Sequence, residues 1–440
     1  MKGSFANTDV RLHVRFDQLV QEHMGHGHIV AAGPRTLPGK TSALAATQAA
    51  WRFYHNESLA LPTLAEPLLV CARQAATESC RRYALVAHDW SNLDYRTHTG
   101  KKDRVALSNA EEIGYELRSG LLISDQGETL APVCQDLRAG GGVYSSRHET
   151  VQPSDSCLDE LEPVFSYIEG LKLGFPVVHI IDREADSVGH YRHWQAGGHL
   201  FLVRADADRF VKHEGKEQKL PAVVELLTSR QAFRDTREVQ WHGQPARQWI
   251  AETEVILDRP AHPHRVGPHG KRKRVKVPGP AITLRLVVSR IYDEKGQLVA
   301  EWLLLTNVPP EVEAAEIALW YYWRWRIESF FKLLKGAGQH VEQWQQETAI
   351  AVARRLLVAT MACVLIWQLA RSTAPEAARL RTLLIRLSGR QMKRGTEFTE
   401  PALLAGMWVL LAMLDTLQQH DVADLAQLAA FALAGSPNSS

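Results

Sequence analysis

The period of hydrophobic and polar positions changes several times along this chain, and each change predicts an element. Ala45 to Asn56 and Thr63 to Arg82 carry helix formers, separated by the stop signal Asn56-Glu57-Ser58. The texture shifts at Tyr83. Tyr83-Ala84-Leu85-Val86-Ala87-His88 is one apolar run ending in Asp89, which reads as a strand buried on both faces. Gly120 to Ser124 and Leu130 to Cys134 flank the turn Asp125-Gln126-Gly127 and predict a hairpin. A helix over Leu158 to Leu173 leads to a further buried strand, Pro176 to Ile181, ending in Asp182. Strands, helix and strand in that order predict an α/β sheet.

From Ala205 to Thr306 the period falls to two. Trp249 to Ile256 and Ala281 to Val288 alternate, and between them a Pro/His/Gly-rich loop carries Lys271, Arg272, Lys273 and Arg274. From Glu311 onwards nearly everything is helical. The pattern divides the chain into helical residues 1–80, α/β residues 81–204 with 309–372, a β-rich insertion at 205–308, and helical residues 373–440. In the last of these, Trp408, Leu411, Leu414 and Leu417 share an apolar side.

Composition narrows the function. With 51 Lys and Arg against 49 Asp and Glu the net charge is +2, so a uniformly polybasic binder is excluded and any nucleic-acid surface must be a local patch. The five cysteines are scattered with no C-x-x-C pair, which suits a reducing compartment without disulfides or a zinc cage. The apolar run from Ala349 is broken by Arg354 and Arg355, and that from Ala402 to Leu414 is shorter than the ~20 residues a membrane span needs. A soluble, cytoplasmic protein with no membrane partner is expected.

Three acids stand out by setting. Asp89 and Asp182 each follow an apolar strand, where an α/β sheet opens its crevice. Glu328 lies in a predicted helix; at about 100° per residue, Tyr321, Arg324, Glu328 and Lys335 fall within roughly 60°. Trp320, Trp323, Ile327, Phe330 and Leu334 take the apolar side. By itself, the series Arg324, Glu328, Lys332 and Lys335 reads as a solvated charge ladder, and a strand-end aspartate as a turn residue. His23-x2-His26-x-His28 has some metal character but lacks a fourth ligand, so a polar loop is the plainer reading.

Taken together, these residues resemble a known family. Tyr321-x2-Arg324-x3-Glu328-x6-Lys335 resembles the Tyr-Arg-Glu-Lys signature of bacterial insertion-sequence DDE transposases, which cut and paste DNA through a hairpin. Asp182-Arg183-Glu184-Ala185-Asp186 and Asp89-x3-Leu93-x-Tyr95 are similar to the family's two aspartate motifs. Phe201 to Arg204, Trp302 to Thr306 and Thr47 to Phe53 also match in order, so the resemblance runs from about residue 45 to 345. Phe331 and Trp90 depart from many relatives.

The resemblance implies a ribonuclease-H-like catalytic domain interrupted by the β-rich insertion. An N-terminal helical domain would bind the transposon end, and C-terminal helices would pair protomers as a homodimer in the synaptic complex. Asp89, Asp182 and Glu328 would hold two Mg²⁺ ions, with Mn²⁺ able to substitute, for in-line phosphodiester chemistry. Tyr321, Arg324, Lys335, Lys332, Arg204 and the Lys271–Arg274 run would contact double-stranded DNA, at the inverted-repeat ends or the target, on a nucleoid-associated enzyme. Trp302 would stack an unpaired base, work that needs an exposed ring. Two other classes stay open. A transposase-derived DNA-binding protein that no longer cuts need not keep three acids; a metal-dependent nuclease without strand transfer would need no synapsis.

Overall fold

The computed structural model describes residues 10–25, 43–107, 111–148, 151, 154, 156–266 and 272–433. Helices α1 (Val10–Gly25), α2 (Ala43–Tyr54) and α3 (Leu61–Ser79) precede strand β1 (Ala84–Asp94). Next come β2 (Val105–Ala106), β3 (Ile113–Ser124), β4 (Thr129–Ala139) and β5 (Gly142–Ser145), then α4 (Leu161–Gly170), β6 (Val177–Ile181), α5 (Val188–Ala196) and β7 (Leu200–Arg204). The following segment holds β8 (Phe210–His213), β9 (Lys216–Lys219), α6 (Leu220–Ser229), β10 (Arg234–Trp241), β11 (Gln244–Leu257), β12 (His264–Val266), β13 (Arg272–Arg274), β14 (Ile282–Asp293) and β15 (Leu298–Thr306). Six helices close the chain: α7 (Ala314–Trp323), α8 (Trp325–Leu334), α9 (Ala349–Arg371), α10 (Pro375–Ser388), α11 (Glu400–Leu417) and α12 (Val422–Leu433).

The main sheet runs β5-β4-β3-β1-β6-β7-β15-β14-β11-β8-β9. Within it β1, β6 and β7 are parallel while β3 and β4 run antiparallel, an arrangement that fits a ribonuclease-H-like fold. Alanine, valine, leucine and isoleucine fill the first half of β1 and most of β6, whose backbones are covered on both faces, as parallel central strands require. The hairpin between β3 and β4 turns at Asp125-Gln126-Gly127, as the sequence indicates. Gly127 has φ +87, and a Cβ there would lie 2.4 Å from the Trp323 ring, so the turn also seats α7.

Two segments are joined to the rest of the fold. Within the β-rich segment 205–308 the short pair β12–β13 forms a small sheet of its own, while the longer strands join the main sheet. The segment's last strand β15 pairs with β7, placing Leu304 opposite Arg204, and β14 and β11 extend the same sheet outward. The free edge of β7 is thereby hydrogen-bonded rather than left as orphan backbone. The N-terminal helices do not stand apart either: α1 packs on α9 and α11, and α3 on β4 and α9. Phe16, Tyr54 and Leu64 belong to the same core as Leu85 and Val358.

Helix α9 is the axis of that core. Arg354 and Arg355, which break its apolar run in the sequence, are buried with polar partners: Arg354 donates to the Tyr54 and Leu59 carbonyls, and Arg355 donates from Nη1 to Gln346 and lies over the Trp344 ring. Both α9 and α11 have the length and apolarity of a membrane-crossing helix. The apolar window of α9 is 89% buried inside the protein and that of α11 28%. On α11, Trp408 donates to the His23 carbonyl and Leu411 packs on the core, so of the expected apolar side only Leu414 and Leu417 are exposed. All five cysteines are free thiols.

Candidate functional site

Strands β1 and β6 pair only from Ala84 to Ala87 and from Val177 to Ile180. Past that point they part, while β1 continues along β3 to Asp94. Asp89 sits just beyond the fork on one strand and Asp182 just beyond it on the other. Asp182 caps the turn that follows, its Oδ1 accepting the Glu184 N–H at 2.9 Å. The fork is where a mixed sheet exposes side chains, and both acids are half-buried there.

The third acid arrives on α8. The long helix inferred from the sequence is broken at Arg324, where the Arg324 N–H reaches the Tyr321 carbonyl and the Ile327 N–H reaches that of Arg324. These three-residue spans tighten the backbone at the α7–α8 junction. The turn aims Arg324 into the fork. Its Nη1 donates to Asp89 Oδ2 at 3.0 Å and its Nη2 to Glu328 Oε1 at 3.1 Å. One guanidinium thus joins the first acid to the third across the sheet–helix boundary. Asp182 lies in the same field, because its charge acts on Asp89, Tyr321 and Arg324 alike.

Burial pushes the Asp89 carboxyl up to about 6; the neighbouring Asp182 and Glu328 charges add to this, while Arg324 and the Trp90 N–H oppose it. Behind Asp89, on the other face of the sheet, His88 and His179 share a hydrogen bond of 2.9 Å, and Phe165 stacks on His179 at 3.7 Å. Burial holds both imidazoles down, His179 to about 4, so neither brings positive charge behind the acids at neutral pH.

Several expectations are corrected here. Arg324 is no rung of a solvated ladder with Glu328, Lys332 and Lys335: it is 6% exposed and reaches Asp89, and Tyr321 beside it is 2% exposed. Lys335 lies past the end of α8 and is tied to the Asn92 carbonyl and to Glu342 at 3.3 Å, rather than standing free on the Glu328 face. Trp302 is 6% exposed, wedged between Trp241 and Tyr321, so it presents no open ring. Its partner Trp241, far away in sequence, could not be foreseen from local pattern. The exposed aromatics near the site are Tyr322 and Trp325, and the Trp325 ring lies 5.6 Å from the Arg324 guanidinium carbon. Their signal in the sequence was position beside the signature arginine.

Arg204 ends β7 half-buried, close enough for its charge to act on Tyr321, and Lys332 is exposed on α8. Of the basic run, Lys271 lies outside the described residues. Arg272, Lys273 and Arg274 form β13, paired with β12, and Lys273 and Arg274 are exposed. Arg274 borders the same cleft as Asp89, of about 1170 Å³, together with Glu116, Arg138, Asp186 and Arg209. His23 is no metal ligand: it is buried, with Nδ1 2.7 Å from Gln339 Oε1, and His26 and His28 lie outside the described residues.

Three carboxylates are hard oxygen donors, which suits Mg²⁺ or Mn²⁺ rather than zinc. Among the described residues no three His, Cys, Asp or Glu side chains already stand as a shared cation site. Arg324 pairs with one oxygen of Asp89 and one of Glu328.

The mixed sheet, the acids near its fork and the helix packed beside them define a class of mixed α/β protein with acidic side chains at the sheet's opening. The family described as transposase DDE domain matches residues 85–365, and the chain belongs to that family. This span holds all three acids and the β-rich segment. No curated protein matches the sequence. Among solved structures, the chain is similar to a piggyBac transposase in a synaptic complex with hairpin DNA, at 9% identity and a TM-score of 0.38, over 100% of this chain and 79% of that one. The family assignment rests on the sequence match.

Proposed function

We propose that this transposase-family chain cleaves the ends of a DNA transposon by divalent-metal phosphodiester chemistry, passes through a hairpin intermediate, and joins the freed 3′ ends to target DNA. The observation that carries the reading is the pairing of Asp89 and Glu328 through one guanidinium, with Asp182 in the same electrostatic field. Glu328, separated in sequence from both aspartates by the β-rich segment, is joined to Asp89 through Arg324 near the fork of the sheet. Folding has no evident need to gather three like charges there, so the gathering favours a chemical role.

Asp89, Asp182 and Glu328 would hold the metal, Mg²⁺ by preference, in one or two ions. The bound cation would stabilise charge on the attacking and leaving oxygens. The protein's own groups do the rest. Arg324 and Lys332 offer charge to phosphates near the cut, and Arg274, which lines the cleft that also holds Asp89, offers another, with exposed Lys273 beside it in β13. Tyr321, buried against Trp302, fixes the position of Arg324. The other duplex contacts, and pairing of two protomers through the C-terminal helices, belong to the same reading.

The test uses labelled transposon-end duplex and the full-length chain. Asp89→Asn, Asp182→Asn and Glu328→Gln are each expected to reduce Mg²⁺-dependent cleavage by at least about 10³-fold while retaining end binding, because no remaining group supplies the lost ligand. Substantial cutting by any of the three removes that residue from the proposed site. Hairpin and blunt products resolved on a denaturing gel distinguish the full pathway from simple nicking.

A further inference from the structure

Both oxygens of Asp89 are engaged. Oδ1 accepts the Trp90 N–H at 2.9 Å, and Oδ2 accepts from Arg324 at 3.0 Å. Glu328 gives Oε1 to the same guanidinium. Arg324 is therefore a built-in cation on the two acids that a metal would use. Its side chain is 7% exposed and its Nε has no hydrogen-bond partner, so the buried position is incompletely satisfied. The residue also stands at the α7–α8 junction rather than inside a regular helix. Outward from it lies the Trp325 ring, 49% exposed, a face on which a planar guanidinium can rest.

Resting on the proposed role of Asp89 and Glu328, we infer that Arg324 is a counter-ion placeholder that a divalent cation displaces, so that metal loading releases the guanidinium toward the phosphate of a bound DNA end. A cation ligated by Asp89 at about 2.1 Å would take up carboxylate charge that Arg324 now neutralises. The two positive groups compete for the same carboxylates, and their mutual repulsion in a half-buried site adds to the competition. A DNA phosphate offers Arg324 a new anionic partner. Phosphate binding and metal binding then favour one another, and by linkage each strengthens the other equally. The function is a sequence of occupancy: the site stays neutralised without substrate and opens to metal when DNA arrives.

The experiment is Mn²⁺ binding to the full-length chain, followed by the loss of the free-ion electron-paramagnetic signal, with and without a short end duplex. Arg324→Ala is expected to bind Mn²⁺ about ten-fold more tightly than the parent chain in the absence of DNA. Duplex is expected to tighten binding by the parent at least about five-fold and to leave Arg324→Ala nearly unchanged. Should Arg324→Ala fail to fold, Arg324→Lys serves, because a point charge cannot fork across both acids. It is expected to bind Mn²⁺ about three-fold more tightly than the parent. Equal or weaker Mn²⁺ binding by the folded variant overturns the inference. Asp89→Asn and Glu328→Gln separate the two layers: if they leave Mn²⁺ binding intact, the metal assignment itself fails. If they abolish it while the Arg324 variants match the parent, only the placeholder role falls.

Discussion

His23 shows how a residue with an evident chemical reading can serve the fold instead. Spacing made it a candidate ligand, yet its ring is buried against Trp344 and hydrogen-bonded to Gln339, which closes the seam between α1 and the loop after α8. Burial holds its imidazole at about 3 instead of 6.5. The unfolded chain takes up a proton near 6.5 and the folded chain does not. This contribution to stability is therefore complete above that pH and is lost as pH falls toward the folded value. His23→Gln, which can keep one hydrogen bond, is expected to lessen the drop in melting temperature between neutral pH and about pH 4. A parent-like pH slope would place the acid sensitivity elsewhere. Trp302 and Arg324 carry the same lesson. Helical phase showed that Arg324 and Glu328 share a face, but whether that face meets water or Asp89 depends on a contact 235 residues away in sequence.

At the scale of elements, strongly patterned segments were legible and their limits were not. Asp125-Gln126-Gly127 marked the β3–β4 turn correctly. The local pattern did not show that Asp125 also accepts the backbone N–H groups of Arg81, Arg82 and Tyr83, which sets the entry to β1. The apolar run suggested that β1 stops before Asp89. It continues to Asp94 because β3 supplies backbone partners for polar residues that carry no strand signal. In the C-terminal region the decisive residue has no side chain at all. A Cβ on Gly406 of α11 would lie 2.0 Å from the Leu384 carbonyl oxygen of α10. Gly406→Ala is expected to push the two helices apart at a cost of about 1–3 kcal/mol. Hydrogen exchange should show α10 and α11 losing protection together while β1 and β6 keep theirs. Unchanged exchange in α11 would mean that the close approach is relieved locally.

On the scale of the whole molecule, the positions of the three acids were readable because each follows or occupies a strongly apolar element. Their meeting point followed only from topology. The fork between β1 and β6 needs the parallel pairing to stop after Ala87, and the delivery of Glu328 needs β15 to return along β7 before α7 begins. Through β15 the β-rich segment thus returns the chain to β7 before α7, in a shared sheet that alternation alone could not distinguish from a separate one. One measurement tests this convergence most directly: anomalous diffraction from Mn²⁺ in crystals of the full-length chain bound to an end duplex. Manganese is expected at about 2.1 Å from Asp89 and from at least one of Asp182 and Glu328, beside a DNA phosphate, with Arg324 turned away from Asp89. Manganese bound elsewhere, or DNA seated on the protein with the three carboxylates still metal-free and Arg324 still between them, would contradict a metal-dependent site at the fork.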